Sequence, residues 1–313
     1  MTVAVVIVTW NVRDLALEAV RTTRDDLARH GPEGRIWVVD NASADGTAEA
    51  IRARFPDVQV IASAENLGFA AGNNLALRAI GFGQDVPSDR LPEAVFLLNP
   101  DTLVEDRAIR MLYEALLAAP DNGLVGARLS YGDGAFQHSA FAFPGIMQTA
   151  FDLLPLPARL SGTRLTGRYP RRLYDGAEPF PVDFVLGATM MLRREVIQQV
   201  GMFDEQFFMY CEEIDWAMRI RRAGWRVLCV PGARIVHLEG RSTAQVRPES
   251  YLNLWRSRFR LYRKHYSPLK VAAIRAVVRV GMWRRRRQAA RDRALDAERR
   301  AALIEAYRAV AGL

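Results

Sequence analysis

Apolar and polar positions come in alternating blocks along the first half of the chain. Thr2 to Thr9 (TVAVVIVT) is apolar and β-branched, the composition of a strand buried on both faces. A helical pattern follows from about Val12 to His30 and is closed by Gly31-Pro32. A second strand is predicted over Arg35 to Asp40, then a helix reaching Phe55, a third strand over Val58 to Ala62, and a helix ending near Ile80. Val95 to Leu98 read as a further buried strand, followed by a helix from about Glu105 to Ala118 and a strand over Leu124 to Leu129. Strands and helices in this alternation predict an α/β fold, a mostly parallel sheet with right-handed crossovers and helices on its faces.

Each of these strands stops at polar residues: Thr9 and Asn11, Asp40 and Asn41, Glu65 and Asn66, Asn99 and Asp101. In open α/β sheets the carboxyl ends of the strands border the ligand crevice, so these side chains are expected along one cleft. Asp40 can accept from a base N–H, and Thr9 or Asn11 can bond the base or ribose; capping of the next helix suits Asn41 equally well, Asp40 less. Pro100 halts its strand between Asn99 and Asp101, whose oxygens suit a divalent cation carrying phosphates; in isolation the tripeptide is an ordinary turn. In ENLGFAAGNN, Gly68 and Gly72 stand among small residues between Asn66 and Asn73, which lets a helix N-terminus approach a diphosphate. The spacing fits neither a dinucleotide fingerprint nor a P-loop.

The alternation fails over residues 131–181, which are rich in Gly, Pro, aromatic residues and Arg and show one short helix, Ile146 to Leu154. A stretch of this length predicts a functional insertion on the acceptor side. Val182 to Arg193 restores a strand, with Gly187 in its middle marking a close approach of ligand to backbone. In FFMYCEEIDWAMR, Glu212, Glu213 and Asp215 open a helix that ends at Ala223-Gly224. Acids there satisfy the helix dipole, yet their aromatic neighbours would raise a carboxylate pKa toward that of a general base. Glu212 and Glu213 point about 100° apart on a helix, so one is expected to act while the other braces the loop. His237 ends a strand over Ala233 to Val236 and precedes LEGRST, in which Arg241 and two hydroxyls suit phosphate oxygens; it is the best metal-ligand candidate among the histidines.

Composition narrows the setting. A chain of 313 residues can bury a large core, and no stretch approaches the roughly 20 apolar residues of a membrane span. Two cysteines, Cys211 and Cys229, argue for free thiols in a reducing compartment, and a cytoplasmic protein is expected. The net charge of +8 is concentrated in the tail. Residues 267–313 are helix-forming, with Val271 to Trp283 apolar apart from two arginines and Arg284 to Arg287 following. A basic amphipathic helix with Trp at its boundary predicts contact with an anionic membrane surface at the inner face of the plasma membrane; a solvated helix or a dimer contact is the plainer reading. No nucleic-acid partner is expected.

VTWN, VVDNASADGT, ENLGFAAGNN, LLNPDT, FFMYCEEIDW and HLEGRST, in this order, resemble the family 2 glycosyltransferases with a GT-A fold, and among them the bacterial rhamnosyltransferase-like branch. The resemblance covers about Val3 to Tyr266, so a catalytic domain over 1–266 is expected with a basic helical tail over 267–313. It implies inverting transfer of a hexose such as rhamnose from a dTDP-, UDP- or GDP-linked donor, with Mg²⁺ or Mn²⁺, to a glycan or polyprenyl-linked saccharide in surface polysaccharide synthesis. By position it makes Thr9, Asn11 and Asp40 nucleoside contacts, Gly68 to Asn73 the loop beneath the diphosphate, Asn99 and Asp101 the metal motif, and His237 a late metal or diphosphate contact. Glu213 then matches the base. Two positions depart from the pattern: Asn99 replaces an Asp, and Glu213 is a methylene longer than the family's Asp, which leaves Glu212 as the alternative base. A sugar nucleotidyltransferase or a non-catalytic basic adaptor are the competing functional readings.

Overall fold

A computed structural model describes residues 2–154, 166–238, 247–292 and 296–313. The first part follows the hydrophobic pattern: β1 (Val3–Thr9), α1 (Arg13–Arg29), β2 (Gly34–Asp40), α2 (Thr47–Arg54), β3 (Gln59–Ala62), α3 (Gly68–Ile80) and β4 (Ala94–Leu98). After it come β5 (Thr102–Val104), α4 (Ala108–Leu117) and β6 (Asn122–Ser130). The insertion holds β7 (Phe136–Gln137), β8 (Ala140–Phe141), α5 (Ile146–Leu153), α6 (Arg171–Tyr174), β9 (Phe180–Pro181) and β10 (Phe184–Val185). The chain continues through β11 (Thr189–Arg193), α7 (Arg194–Val200), α8 (Glu212–Arg222), β12 (Arg226–His237), α9 (Arg247–His265), α10 (Pro268–Arg291) and α11 (Ala297–Gly312).

The main sheet has the order β3-β2-β1-β4-β11-β6-β12-β5. From β3 to β4 it is parallel, as the alternation requires, but β11 enters antiparallel between β4 and β6, so the second half is mixed. Every residue of β1 is buried, and alternate side chains serve opposite faces. Val3, Val5 and Ile7 pack with α1, α2 and α4, while Ala4, Val6 and Val8 join the core under α3, α8, α9 and α10.

Two strand predictions are corrected. Val182 to Arg193 is not one strand: β10 pairs with β8 in a separate small sheet, and Leu186 to Ala188 turn the chain before β11 joins the main sheet. The strand predicted over Ala233 to Val236 is the end of a much longer β12, whose pairing with β6 shifts register between Val230 and Arg234, around Pro231-Gly232. Pro lacks a ladder donor, so the shift accommodates it. Where described, the insertion is held by aromatic packing, with Tyr174 edge-on to Phe136 at 4.9 Å and to Phe180 at 5.2 Å.

The tail packs on the body. Val271, Ile274, Val278 and Met282 of α10 are buried in the same core as β1, and a β-carbon on Gly281 would lie 2.6 Å from that of Leu153 in α5. The apolar stripe centred on these residues is therefore a packing face, not a membrane face. Among the described residues no helix is long and apolar enough to cross a membrane.

Candidate active site

A cavity of about 420 Å³ opens at the carboxyl ends of β1 and β4. Thr9, Asn66, Gly68, Asn99, Asp101, Gly187, Glu212, Glu213 and His237 all line it, although they come from elements spread along most of the chain.

The cation candidates meet through sheet pairing. β5 runs antiparallel to β12 with Thr102 opposite His237, and Leu238 N–H donates to the Asp101 carbonyl at 2.9 Å. This places the Asp101 carboxylate 3.4 Å and the Asn99 amide 3.5 Å from His237 Nε2. On the far side of the ring, His237 Nδ1 faces Gln137 Oε1 at 3.3 Å. With the proton on Nδ1 donated to Gln137, Nε2 turns its lone pair toward Asp101 and Asn99, the tautomer a metal ligand needs. Carboxylate oxygen, imidazole nitrogen and an amide that can present its oxygen form a donor set suited to Mg²⁺ or Mn²⁺.

The carboxylates stand on the opposite wall. Tyr210 and Cys211 both adopt positive φ, +70° and +68°, and this tight left-handed turn delivers Glu212 and Glu213 into the cavity at the first turn of α8. Burial, reinforced by the charge of Glu213, lifts the Glu212 carboxyl well above its usual range, and its Oε2 has no hydrogen-bond partner. Burial also pushes Glu213 up, to about 7, against the opposing pull of backbone N–H groups at the start of α8. Gly187 faces this base candidate, a β-carbon there lying 3.6 Å from that of Glu213.

Residues 1–260 match the family described as "Glycosyltransferase like family 2". The chain belongs to glycosyltransferase family 2. It is 29% identical over 218 residues to the N-acetylglucosaminyl-diphospho-decaprenol L-rhamnosyltransferase of Mycobacterium tuberculosis, an alignment covering 69% of this chain and 70% of that protein. The low-salt glycan biosynthesis hexosyltransferase Agl10 of Haloferax volcanii is 29% identical over 187 residues, 59% of this chain and 52% of its own length. The mannosyltransferase PcManGT from Pyrobaculum calidifontis, solved with GDP-Man and Mn²⁺, has the same fold with TM-score 0.55 at 19% identity, over 99% of this chain and 80% of that one. GalNAc-T7, solved with UDP, GalNAc and Mn²⁺, gives TM-score 0.59 at 16% identity, over 98% and 54% respectively. The protein is thus a GT-A glycosyltransferase, and the nucleotidyltransferase and adaptor readings fall away.

Within this family 2 site, several residues expected at the ligand are occupied elsewhere. Asn11 Oδ1 accepts from Ala44 N–H at 2.8 Å and its own N–H donates to Ser43 Oγ at 2.9 Å, so Asn11 fixes the loop after β2. Asp40 is buried and accepts from the Ser43 hydroxyl; burial raises its pKa against those hydrogen bonds. Neither Asp40 nor Asn41 caps α2, which begins after Gly46. Gly72 is a packing residue: a β-carbon there would stand 2.9 Å from Val8 Cγ1. Asn73 is buried inside α3 with its amide donating to the Phe69 carbonyl at 2.9 Å.

Asp215 does not face the cavity. It is fully buried and takes the His265 Nε2 at 2.7 Å, the Lys264 ammonium at 2.8 Å and the Arg219 guanidinium at 2.9 Å. Burial alone would raise its pKa, but the hydrogen bonds from His265 and Lys264 and the Arg219 charge outweigh it and hold the carboxyl down to about 2. Asp215 therefore fastens α8 to the end of α9. Arg241 lies outside the described residues.

Asn41 and Thr9 line the cavity as strand-end residues, whereas Trp10, Phe69, Ser250 and Asn253 line it without having been singled out by sequence. Asn41 contributes Oδ1, buried without a partner, while its Nδ2 donates to the Gly68 carbonyl at 3.0 Å. Thr9 Oγ1 is likewise buried and unpartnered. Trp10, Phe69, Phe208 and Tyr210 give the cavity aromatic walls, and Ser250 and Asn253 bring α9 to its rim. The aromatic residues around the Glu pair were the one available signal, because they signalled desolvation of the carboxylates before their own position was known.

Proposed function

We propose that this glycosyltransferase is metal-dependent and inverts the anomeric centre as it moves a hexose, rhamnose by analogy with its mycobacterial relative, from a nucleoside-diphosphate donor to a polyprenyl-diphosphate-linked saccharide. The observation that carries the proposal is the convergence of Asp101 and His237, 3.4 Å apart, with Glu213 in a single cavity. Transfer is assigned to residues 1–266 and surface contact to 267–313, on the cytoplasmic side where the acceptor headgroup would be presented.

Asp101 and His237, with Asn99 beside them, would hold Mg²⁺ or Mn²⁺. When bound, such a cation neutralises the charge that builds on the departing diphosphate. Thr9 Oγ1 and Asn41 Oδ1, both buried without protein partners, offer hydrogen bonds to the nucleoside, which would otherwise leave them unpaired at a cost. The positive φ of Gly68, +79°, brings the start of α3 into the cavity wall without a side chain in the way of the diphosphate. Glu213 takes the proton from the acceptor hydroxyl as that oxygen attacks the anomeric carbon on the face opposite the leaving group. Its raised pKa matches the driving force needed near neutral pH. Glu212, one residue earlier and more deeply buried, stays protonated beside it and leaves a single negative charge on the pair.

The test is release of nucleoside diphosphate from dTDP-rhamnose in the presence of Mn²⁺ and a GlcNAc-diphospho-polyprenol acceptor. Acceptor-dependent release by the wild type, abolished by Asp101→Ala, supports the assignment. Undiminished release by Asp101→Ala would remove the metal role, and turnover with other donors alone would replace rhamnose.

A further inference from the structure

α10 is apolar on two opposite sides. The buried side carries Val271, Ile274, Val278 and Met282. At 3.6 residues per turn, Leu269, Val280 and Trp283 fall within about 60° of one another on the other side, diametrically away from the core. All three face solvent, at 82%, 54% and 51% exposure. The stripe runs for about 21 Å, from the 1.5 Å rise per residue. Ile146 and Met147 at the start of α5 are also exposed and stand at the same end of α10, where Lys270 Nζ comes within 4.0 Å of a β-carbon position on Gly145.

Charge frames this stripe. Pro268–Arg291 contains eight Lys and Arg and no Asp or Glu. On the helical wheel Arg279 and Arg286 flank the exposed stripe on one side and Arg284 on the other. Among the described residues none of the eight forms an ion pair with a carboxylate, and the Arg287 guanidinium lies 4.2 Å from the centre of the Trp283 ring. Arg279 and Arg285 donate to the Ala311 and Asp152 carbonyls, so the row keeps its positive charge, unlike Arg219 and Lys264, which meet carboxylates.

The geometry points to the exposed face of α10, continued by the start of α5, as a docking surface for an anionic lipid leaflet. It rests on the functional reading above only in that a lipid-linked acceptor gives such docking a purpose. Leu269, Val280 and Trp283 would enter the boundary between headgroups and acyl chains, Trp at the level where its ring is favoured, while the arginines on both flanks reach headgroup phosphates. A second copy of the chain fits this face poorly, because apposing two copies would bring two unpaired cationic rows together. Nucleic acid would meet the arginines but leave the apolar stripe in water.

The experiment is co-sedimentation of the full chain with vesicles of phosphatidylcholine alone or with 30% phosphatidylglycerol, comparing wild type with the triple variant Leu269→Ser, Val280→Ser, Trp283→Ser and with Arg284→Ser, Arg286→Ser, Arg287→Ser. These side chains are exposed or half-exposed, so both variants should keep the wild-type circular dichroism and the wild-type rate of donor hydrolysis without acceptor. Expected results are binding to the anionic vesicles that weakens with salt, at least tenfold loss in each variant, and little binding to neutral vesicles. Equal binding by wild type and either variant would overturn the proposal. So would absence of binding to anionic vesicles, a wild-type dimer in sedimentation velocity that the apolar variant splits, or tighter binding to RNA than to vesicles. Loss of vesicle binding with intact donor hydrolysis separates failure of this surface from failure of the catalytic assignment.

Discussion

A β-carbon on Gly68 would stand 2.3 Å from the Phe208 carbonyl oxygen, and the next residue, Phe69, donates its N–H to that same oxygen at 3.0 Å. Gly68 starts α3 in the cavity wall, whereas Phe208 belongs to the turn that carries Glu212 and Glu213. The start of α3 and the turn into α8 are thus held by direct backbone contact, with Asn41 Nδ2 on the Gly68 carbonyl closing the arrangement from β2.

Gly68→Ala is accordingly expected to damage both stability and rate. The residue has φ +79°, where a β-carbon costs about 1 to 2 kcal/mol, and the carbonyl it would strike is backbone and cannot rotate aside. A fall in melting temperature of roughly 5 °C is expected, together with a lower kcat because Phe208 and the turn after it must shift. Calorimetry alongside a transfer assay checks both; an unchanged melting temperature would mean that the contact is loose in solution.

Asp215→Asn tests the brace between α8 and α9. Removing a fully buried partner of Lys264, His265 and Arg219 should cost about 3 kcal/mol or more, whereas a catalytic role would cost rate alone. The pH dependence has a definite sign. The folded pKa of about 2 lies below the ordinary carboxylate value, so this carboxylate stabilises the fold at all pH above about 4 and loses that contribution as pH falls toward 2. Urea midpoints of wild type should therefore decline between about pH 4 and 2, and those of Asp215→Asn should decline less over that window.

The contrast between Asp215 and Glu213 shows where sequence reasoning stopped. Both carboxylates open the same helix beside the same aromatic residues, and their different roles depend on α9, whose Lys264 and His265 reach Asp215 from a distant part of the chain. The parallel strands and their polar ends were legible because a continuous apolar run and its polar stop are local properties, seen in the uniformly buried β1 and β4. The antiparallel entry of β11 was not, since its buried apolar run reads the same in either direction. The meeting of Asp101 with His237 was legible only as a shared sheet edge; β5, three residues long, makes the contact and is too short to be marked by pattern. Which side of the tail packs on the body was not legible for a similar reason: α10 is apolar on two sides, and only packing against Leu153 distinguishes them.

Glu213→Gln should reduce acceptor-dependent transfer by about 100-fold to 10,000-fold while leaving the fold intact. The wild-type rate should rise with pH through about 7 and level off above it, because only the ionised carboxylate accepts the proton. The variant should lose this acid limb. Stability moves the other way: a carboxylate whose folded pKa is raised opposes folding once ionised, a cost absent below its ordinary value and fully present above about pH 7. At pH 8 the variant should therefore be at least as resistant to urea as wild type, and a marked loss of resistance would make Glu213 structural.

Gln137 offers a test of the proposed cation site that leaves its proposed ligands untouched. Its Oε1 stands 3.3 Å from His237 Nδ1 and can accept a proton held there, which leaves the Nε2 lone pair toward Asp101 and Asn99. Gln137→Leu keeps the volume but removes the acceptor, so Nε2 can carry the proton and turn a donor toward the cation. A rise of roughly 10-fold to 100-fold in the Mn²⁺ concentration for half-maximal transfer is expected, as for other groups that orient a metal-bound histidine. His237→Ala should act more severely, and in both variants excess Mn²⁺ should recover part of the rate after treatment with EDTA. Binding supplies a readout free of turnover: Mn²⁺ together with a nucleoside diphosphate should raise the melting temperature of wild type, less so for Gln137→Leu, and not at all for Asp101→Ala. Equal Mn²⁺ dependence in wild type and Gln137→Leu would place the cation away from the His237 ring and leave Asp101 and the substrate phosphates to hold it.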